Sequence, residues 1–133
     1  MSRQIFVNLP VSDLPKSKQF FQSLNFVFNP QFTDDSAACM IVAENIHVML
    51  FTQPYFQTFT PTPVSDAKQS TEVLIALSCE SREEVDKLVG IATESGGSTY
   101  NEAKDHGFMY QHGFRDPDGH IWELVYMDPT ALQ

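Results

Sequence analysis

Few side chains here are of a type that could do chemistry, and Glu123 is the first of them. It interrupts the apolar run Ile121-Trp122-Glu123-Leu124-Val125, where most neighbours offer it no polar partner. His47 and His112 also fall in strand-like segments, whereas His106 and His120 adjoin loops or turns and read as exposed. Together His47, His112 and Glu123 have the composition of a 2-His-1-carboxylate set, the chemistry of non-haem iron and some zinc sites. The plainer alternative is that both histidines are half-buried and bonded to neighbours. Cys39 and Cys79 are far apart in sequence, and each reads as a small buried hydrophobe rather than a nucleophile. No Ser-His-Asp order, glycine-rich phosphate loop or Cys-x-x-Cys pair occurs.

The chain of 133 residues has the size of one ordinary domain. Its formal charge of −9 and pI near 4.6 leave no basic surface for neutralising phosphates, so nucleic-acid binding is excluded. A hydrophobic fraction of 42% with eleven Phe is enough for a core, which excludes disorder. No apolar run approaches the roughly 18–20 residues of a membrane span. The first residues lack the pattern of a secretion signal, so a cytoplasmic location is expected.

The elements that must position these residues are legible as two similar series. Ile5, Val7, Leu9 and Val11 alternate with period 2, the mark of a strand with one buried face. Ser12 or Asp13 caps a following helix over about residues 13–24, and Pro15 suits its first turn. Leu14, Phe20, Phe21 and Leu24 form its apolar stripe, and Asn25 fits a left-handed stop. Strands are expected at 26–31, 37–42 and 46–52.

The order then recurs. Residues 72–79 read as a strand, and Ser81 with Glu84 makes a capping box for a helix to about residue 95. Val85, Leu88, Val89 and Ala92 fall at i, i+3, i+4 and i+7. Further strands are expected at 98–101, 108–115 and 121–126, the last two joined by the turn Asp116-Pro117-Asp118-Gly119. A shift of 68 positions places Val7 on Ile75, Leu9 on Leu77 and Phe20 on Leu88. The chain thus reads as an α+β protein of two β-α-β-β-β modules, about 1–52 and 72–128. Loop 53–71 joins them, and its Tyr55, Phe56 and Phe59 suggest packing over a surface.

Val-Ser-Asp-Leu-x-x-Ser-x-x-Phe-Phe (from Val11 to Phe21), Phe-x-Asp-Pro-Asp-Gly-x-x-x-Glu-Leu (from Phe114 to Leu124) and the duplicated order resemble the vicinal oxygen chelate superfamily. That group includes glyoxalase I, extradiol dioxygenases, fosfomycin- and bleomycin-resistance proteins, and methylmalonyl-CoA epimerase. The resemblance implies paired modules forming a curved mixed sheet, a ligand in its concave cleft, and a homodimer. In metal-dependent members, four strands each supply a ligand, and the corresponding positions here are Phe6, Met49, Leu74 and Glu123. Phenyl and isobutyl groups cannot hold a divalent cation, so no metal is expected at the family positions. Phe6, Asn8, His47, Met49, Leu74 and His112 are expected instead to line the cleft around Glu123. A rebuilt metal site from His47, His112 and Glu123 is the alternative.

Two functions compete. Glu123 could act as a general base in a glyoxalase-like lyase or isomerase working on a small carbonyl or hydroxy compound. The other reading, slightly favoured by the missing ligands, is sequestration of an aromatic or apolar small molecule without chemistry. Trp122, next to Glu123 in a strand, is expected on the opposite face, packed beneath a helix.

Overall fold

The structure, a computed structural model, describes residues 2–132, except the side chains of residues 131 and 132. It divides into two compact units, 1–65 and 66–133. Each carries one four-stranded mixed sheet, and together they make an α+β fold of repeated β-α-β-β-β order.

In the first unit the strands are β1 (Ile5–Val11), β2 (Val27–Asn29), β3 (Ala37–Ala43) and β4 (Ile46–Thr52), ordered β1-β4-β3-β2. β1 runs parallel to β4, and the other pairs are antiparallel. The parallel pairing requires a crossover, which helix α1 (Leu14–Ser23) begins. Asp13 caps α1 by accepting from the Lys16 amide at 3.1 Å, and Asn25 beyond its end takes φ 69°. Leu14, Phe20 and Phe21 bury against one face of the sheet, where Leu9, Val11, Met40, Val48 and Leu50 are also buried.

The second unit repeats this plan. Strands β5 (Leu74–Ser78), β6 (Lys104–Asp105), β7 (Met109–Arg115) and β8 (Ile121–Met127) are ordered β5-β8-β7-β6, with β5 parallel to β8. Helix α3 (Arg82–Glu94) covers one face with Val85, Val89 and Ala92. Ser81 accepts from the Glu84 amide at 3.0 Å, whereas Glu84 reaches back to the Glu80 amide at 3.3 Å, one residue before the cap itself.

Three expectations need correction, the first being the strand expected at 26–31, which covers only Val27–Asn29 before a 3₁₀ turn takes over at Pro30–Phe32. The strand expected at 98–101 is reduced to one bridge, Ser98 with Arg115, and the edge strand β6 forms later. The joining segment begins with a short helix, α2 (Gln53–Gln57), whose chain neighbourhood carries Tyr55 and Phe59 onto Phe51, at ring separations of 4.9 and 5.3 Å.

Candidate functional site

In each sheet, alternate residues face the helix, and the remaining set faces away from it. In the first unit that outward set includes Phe6 and Asn8 of β1 with His47 and Met49 of β4, since Phe6 pairs with His47 and Asn8 with Met49. The Phe6 and His47 rings stack at 4.8 Å and 12°, and Phe6 stays 52% exposed. His47 Nδ1 lies 4.0 Å from Cys39 Sγ. Burial raises the Cys39 thiol pKa. Cys79 is pushed up to about 12 by burial, then by the side-chain hydrogen bond with Glu84 and the charges of Glu84 and Glu80.

In the second unit Glu123 pairs with Ala76 of β5 on one side and Gly113 of β7 on the other. Leu74 pairs with Ile121, so Leu74, Ala76, Ile121, Glu123, Gly113 and Arg115 share the outward face. His112 does not join them. It pairs with Leu124 on the helix-facing side, and its Nε2 lies 3.0 Å from the Asn101 carbonyl, an acceptor that requires Nε2–H. Adjacent strand residues point to opposite faces, so the expected grouping of His112 with Glu123 fails by one residue of parity. His120, expected to be exposed, is buried at the β7–β8 turn.

That turn is held by Asp116. Its Oδ1 accepts from the amides of Asp118 and His120, each at 3.0 Å, and its Oδ2 accepts from Trp122 Nε1 at 3.1 Å. Burial is the main influence on Asp116 and raises its pKa. Trp122 is 1% exposed and stacks with Phe114, on the side away from Glu123 as expected.

Two residues of the outward face had not been anticipated. The loop after α3 is tied to β7 by Ser98 and Arg115, and it carries Tyr100 across Gly113. A Cβ at Gly113 would strike the Tyr100 hydroxyl and lie 2.8 Å from the Trp122 carbonyl oxygen, so this approach requires glycine. The Arg115 guanidinium lies over the Tyr100 ring at 5.6 Å. Tyr100's pKa is raised, first by burial and then by the Glu123 charge, while Arg115 acts in the opposite direction. The sequence signal for this contact was a glycine inside a strand pattern.

Donor chemistry at the positions matched to metal-dependent relatives does not fit a divalent cation, because only Glu123 supplies an oxygen. Among the described residues, no group of three or more His, Cys, Asp or Glu side chains is gathered to hold one. The same parity that turns His112 away also removes it from a rebuilt set with Glu123.

The chain belongs to the glyoxalase/bleomycin resistance protein/dioxygenase superfamily, whose family model matches residues 3–124. Among solved structures, a hypothetical protein from S. aureus is similar, with a TM-score of 0.80, 31% identity and coverage of 95% of both chains. A glyoxalase/bleomycin resistance protein/dioxygenase family enzyme from Burkholderia phytofirmans PsJN gives 0.78 at 16% identity, covering 95% of this chain and 99% of that one. The fosfomycin resistance protein FosX from Listeria monocytogenes gives 0.69 at 21% identity, covering 98% and 97%. These last two likenesses concern the fold. No curated protein matches.

Proposed function

We propose that this protein binds a small molecule on the outward face of its second sheet, around Glu123, without the metal used by metal-dependent relatives. One observation carries the reading: Glu123 stands on the same sheet face as Leu74, Ala76 and Ile121, the face opposite the one that α3 covers within this unit. Leu74 is 55% exposed there. Apolar surface around a few polar groups is the usual make-up of a small-molecule site. The binding role is favoured over turnover because proton abstraction beside a carbonyl needs an electrophile to stabilise the resulting charge, and among the described residues no cluster of three or more His, Cys, Asp or Glu side chains is gathered to hold a metal that would supply one.

The test is a thermal-shift screen of aromatic and apolar fragments on chelator-treated protein. Stabilisation by a subset, weakened in Glu123→Gln or Leu74→Ala, supports the reading. No stabilisation without added metal, and stabilisation with it, contradicts it. We also propose a homodimer, since exposed apolar side chains such as Phe6, Val27 and Leu74 favour burial by a partner. Light scattering then returns twice the 15.0 kDa of one chain.

A further inference from the structure

We infer that Cys39, His47 and Met49 form a site for a soft monovalent cation, Cu(I), on the outward face of the first sheet. Cys39 and His47 lie off the four positions matched to metal-dependent relatives, and Glu123 takes no part. Cys39 of β3 is the ladder partner of Met49 of β4. Their side chains therefore leave the same face, with Cβ atoms about 4.5–5.5 Å apart. His47, two residues before Met49, shares that face and stands diagonal to Cys39. Its Nδ1 lies 4.0 Å from Cys39 Sγ, too far for a strong hydrogen bond. The gap suits a shared ion, since zinc's bonds to sulfur and nitrogen, about 2.3 and 2.0 Å, together span up to about 4.3 Å. Stacking against Phe6 at 4.8 Å and 12° fixes the plane of the His47 ring.

The donors select the ion. Thiolate and thioether sulfurs suit Cu(I), and an imidazole is compatible with it. Zinc wants four nitrogen, sulfur or carboxylate ligands and finds only Cys39 and His47, while calcium and magnesium need oxygens. Asn29, the other ladder neighbour of Cys39, has its side-chain oxygen engaged by the Gln31 amide at 3.0 Å. Cys39 is 2% exposed, whereas His47 and Met49 are half-buried, so β4 is the side of approach. Binding exchanges a proton for the ion. The Cys39 S–H bond breaks, a sulfur–copper bond forms, and one proton passes to solvent with no change in oxidation state. Burial raises this thiol's pKa, so only a strongly thiophilic ion displaces its proton at neutral pH.

The test uses the full chain, reduced and kept free of oxygen, with Cu(I) presented as its coloured bathocuproine disulfonate complex. Loss of colour reports transfer of copper to the protein. Wild type is expected to take up one Cu(I) per chain, and Cys39→Ser to take up none. His47→Gln and Met49→Leu should each weaken binding by about tenfold or more, because even the outer partners of a metal ligand are worth about 10–100-fold. Cys79→Ser should match wild type, since Cys79 lies in the second unit. Circular dichroism checks the fold of each variant. Copper-edge X-ray absorption of wild type gives an answer that no variant's folding can obscure, with two sulfurs and one nitrogen expected around the ion. Failure to draw copper from the chelator overturns the inference. So does uptake that survives Cys39→Ser or vanishes in Cys79→Ser, a copper shell without sulfur, or zinc bound as tightly as Cu(I). None of these outcomes touches the reading at Glu123, whose ligand is sought on chelator-treated protein.

Discussion

Glu123 and Gly113 lie directly opposite each other on β8 and β7, and the side chain that Gly113 lacks leaves room for the Tyr100 hydroxyl. Removing that room is a direct perturbation. Gly113→Ala puts a methyl group against Tyr100 and 2.8 Å from the Trp122 carbonyl oxygen. Overpacking of this kind costs about 1–3 kcal/mol. Urea denaturation should show the loss, and adding Tyr100→Ala should recover only part, because the Trp122 backbone stays in place. Full additivity of the two substitutions would mean that Tyr100 does not occupy this position.

Asp116 predicts a larger dependence on acceptor number than on charge. Asn presents one oxygen where Asp116 uses two, so its amide nitrogen would face either the indole N–H or the two backbone amides. Removing the buried charge offsets part of the effect, since burial already raises this carboxyl's pKa. The expected net loss for Asp116→Asn is about 1–3 kcal/mol. Fluorescence of Trp122, the single tryptophan, reports the unfolding midpoint. An unchanged midpoint would contradict this account of the turn.

The ion pair between Arg82 and Asp105, at 2.6 Å, gives a pH signature. The hydrogen bond from Arg82, followed by that from the Gly107 amide, holds the Asp105 carboxyl below its ordinary value. A lowered acid stabilises the fold above the unfolded-state value of about 3.9 and loses that contribution as pH falls through the folded-state value. A double-mutant cycle with Arg82→Ala and Asp105→Ala should therefore show coupling at neutral pH that fades under strong acid. Both groups are exposed, so raised salt should weaken it as well. Coupling that persists after Asp105 is protonated would mean that packing, not charge, links them.

For divalent metals, the expectation is no stoichiometric binding. Elemental analysis after dialysis against Zn, Ni, Mn or Fe should find well under one ion per chain, because one carboxylate leaves the rest of the coordination to water. One ion per chain, lost in Glu123→Gln, would restore the metal-dependent lyase reading.

Much of the framework was legible before any coordinates. Val7, Leu9 and Val11 alternate, Asp13 and Ser81 cap, and Asp116 to Gly119 turn, each through local chemistry that sequence displays directly. The site was legible only in part. Glu123 stands on the outward face, but facing His112 correctly required knowing that Arg115 pairs with Ile121 across the turn, a register that motif spacing alone leaves open by one residue. Tyr100 was hidden for another reason. It lies in a loop whose expected strand never forms beyond Ser98, and its position depends on a glycine far along the chain.

The central claim is metal-free binding of a small molecule around Glu123, and amide chemical shifts test it most directly. A ¹H–¹⁵N spectrum of chelator-treated protein is compared before and after adding the most stabilising fragment from the screen. The account predicts shifts concentrated at Ala76, Tyr100, Gly113, Arg115 and Glu123, with no metal added. Shifts confined to other residues, or appearing only once Zn is supplied, would contradict it.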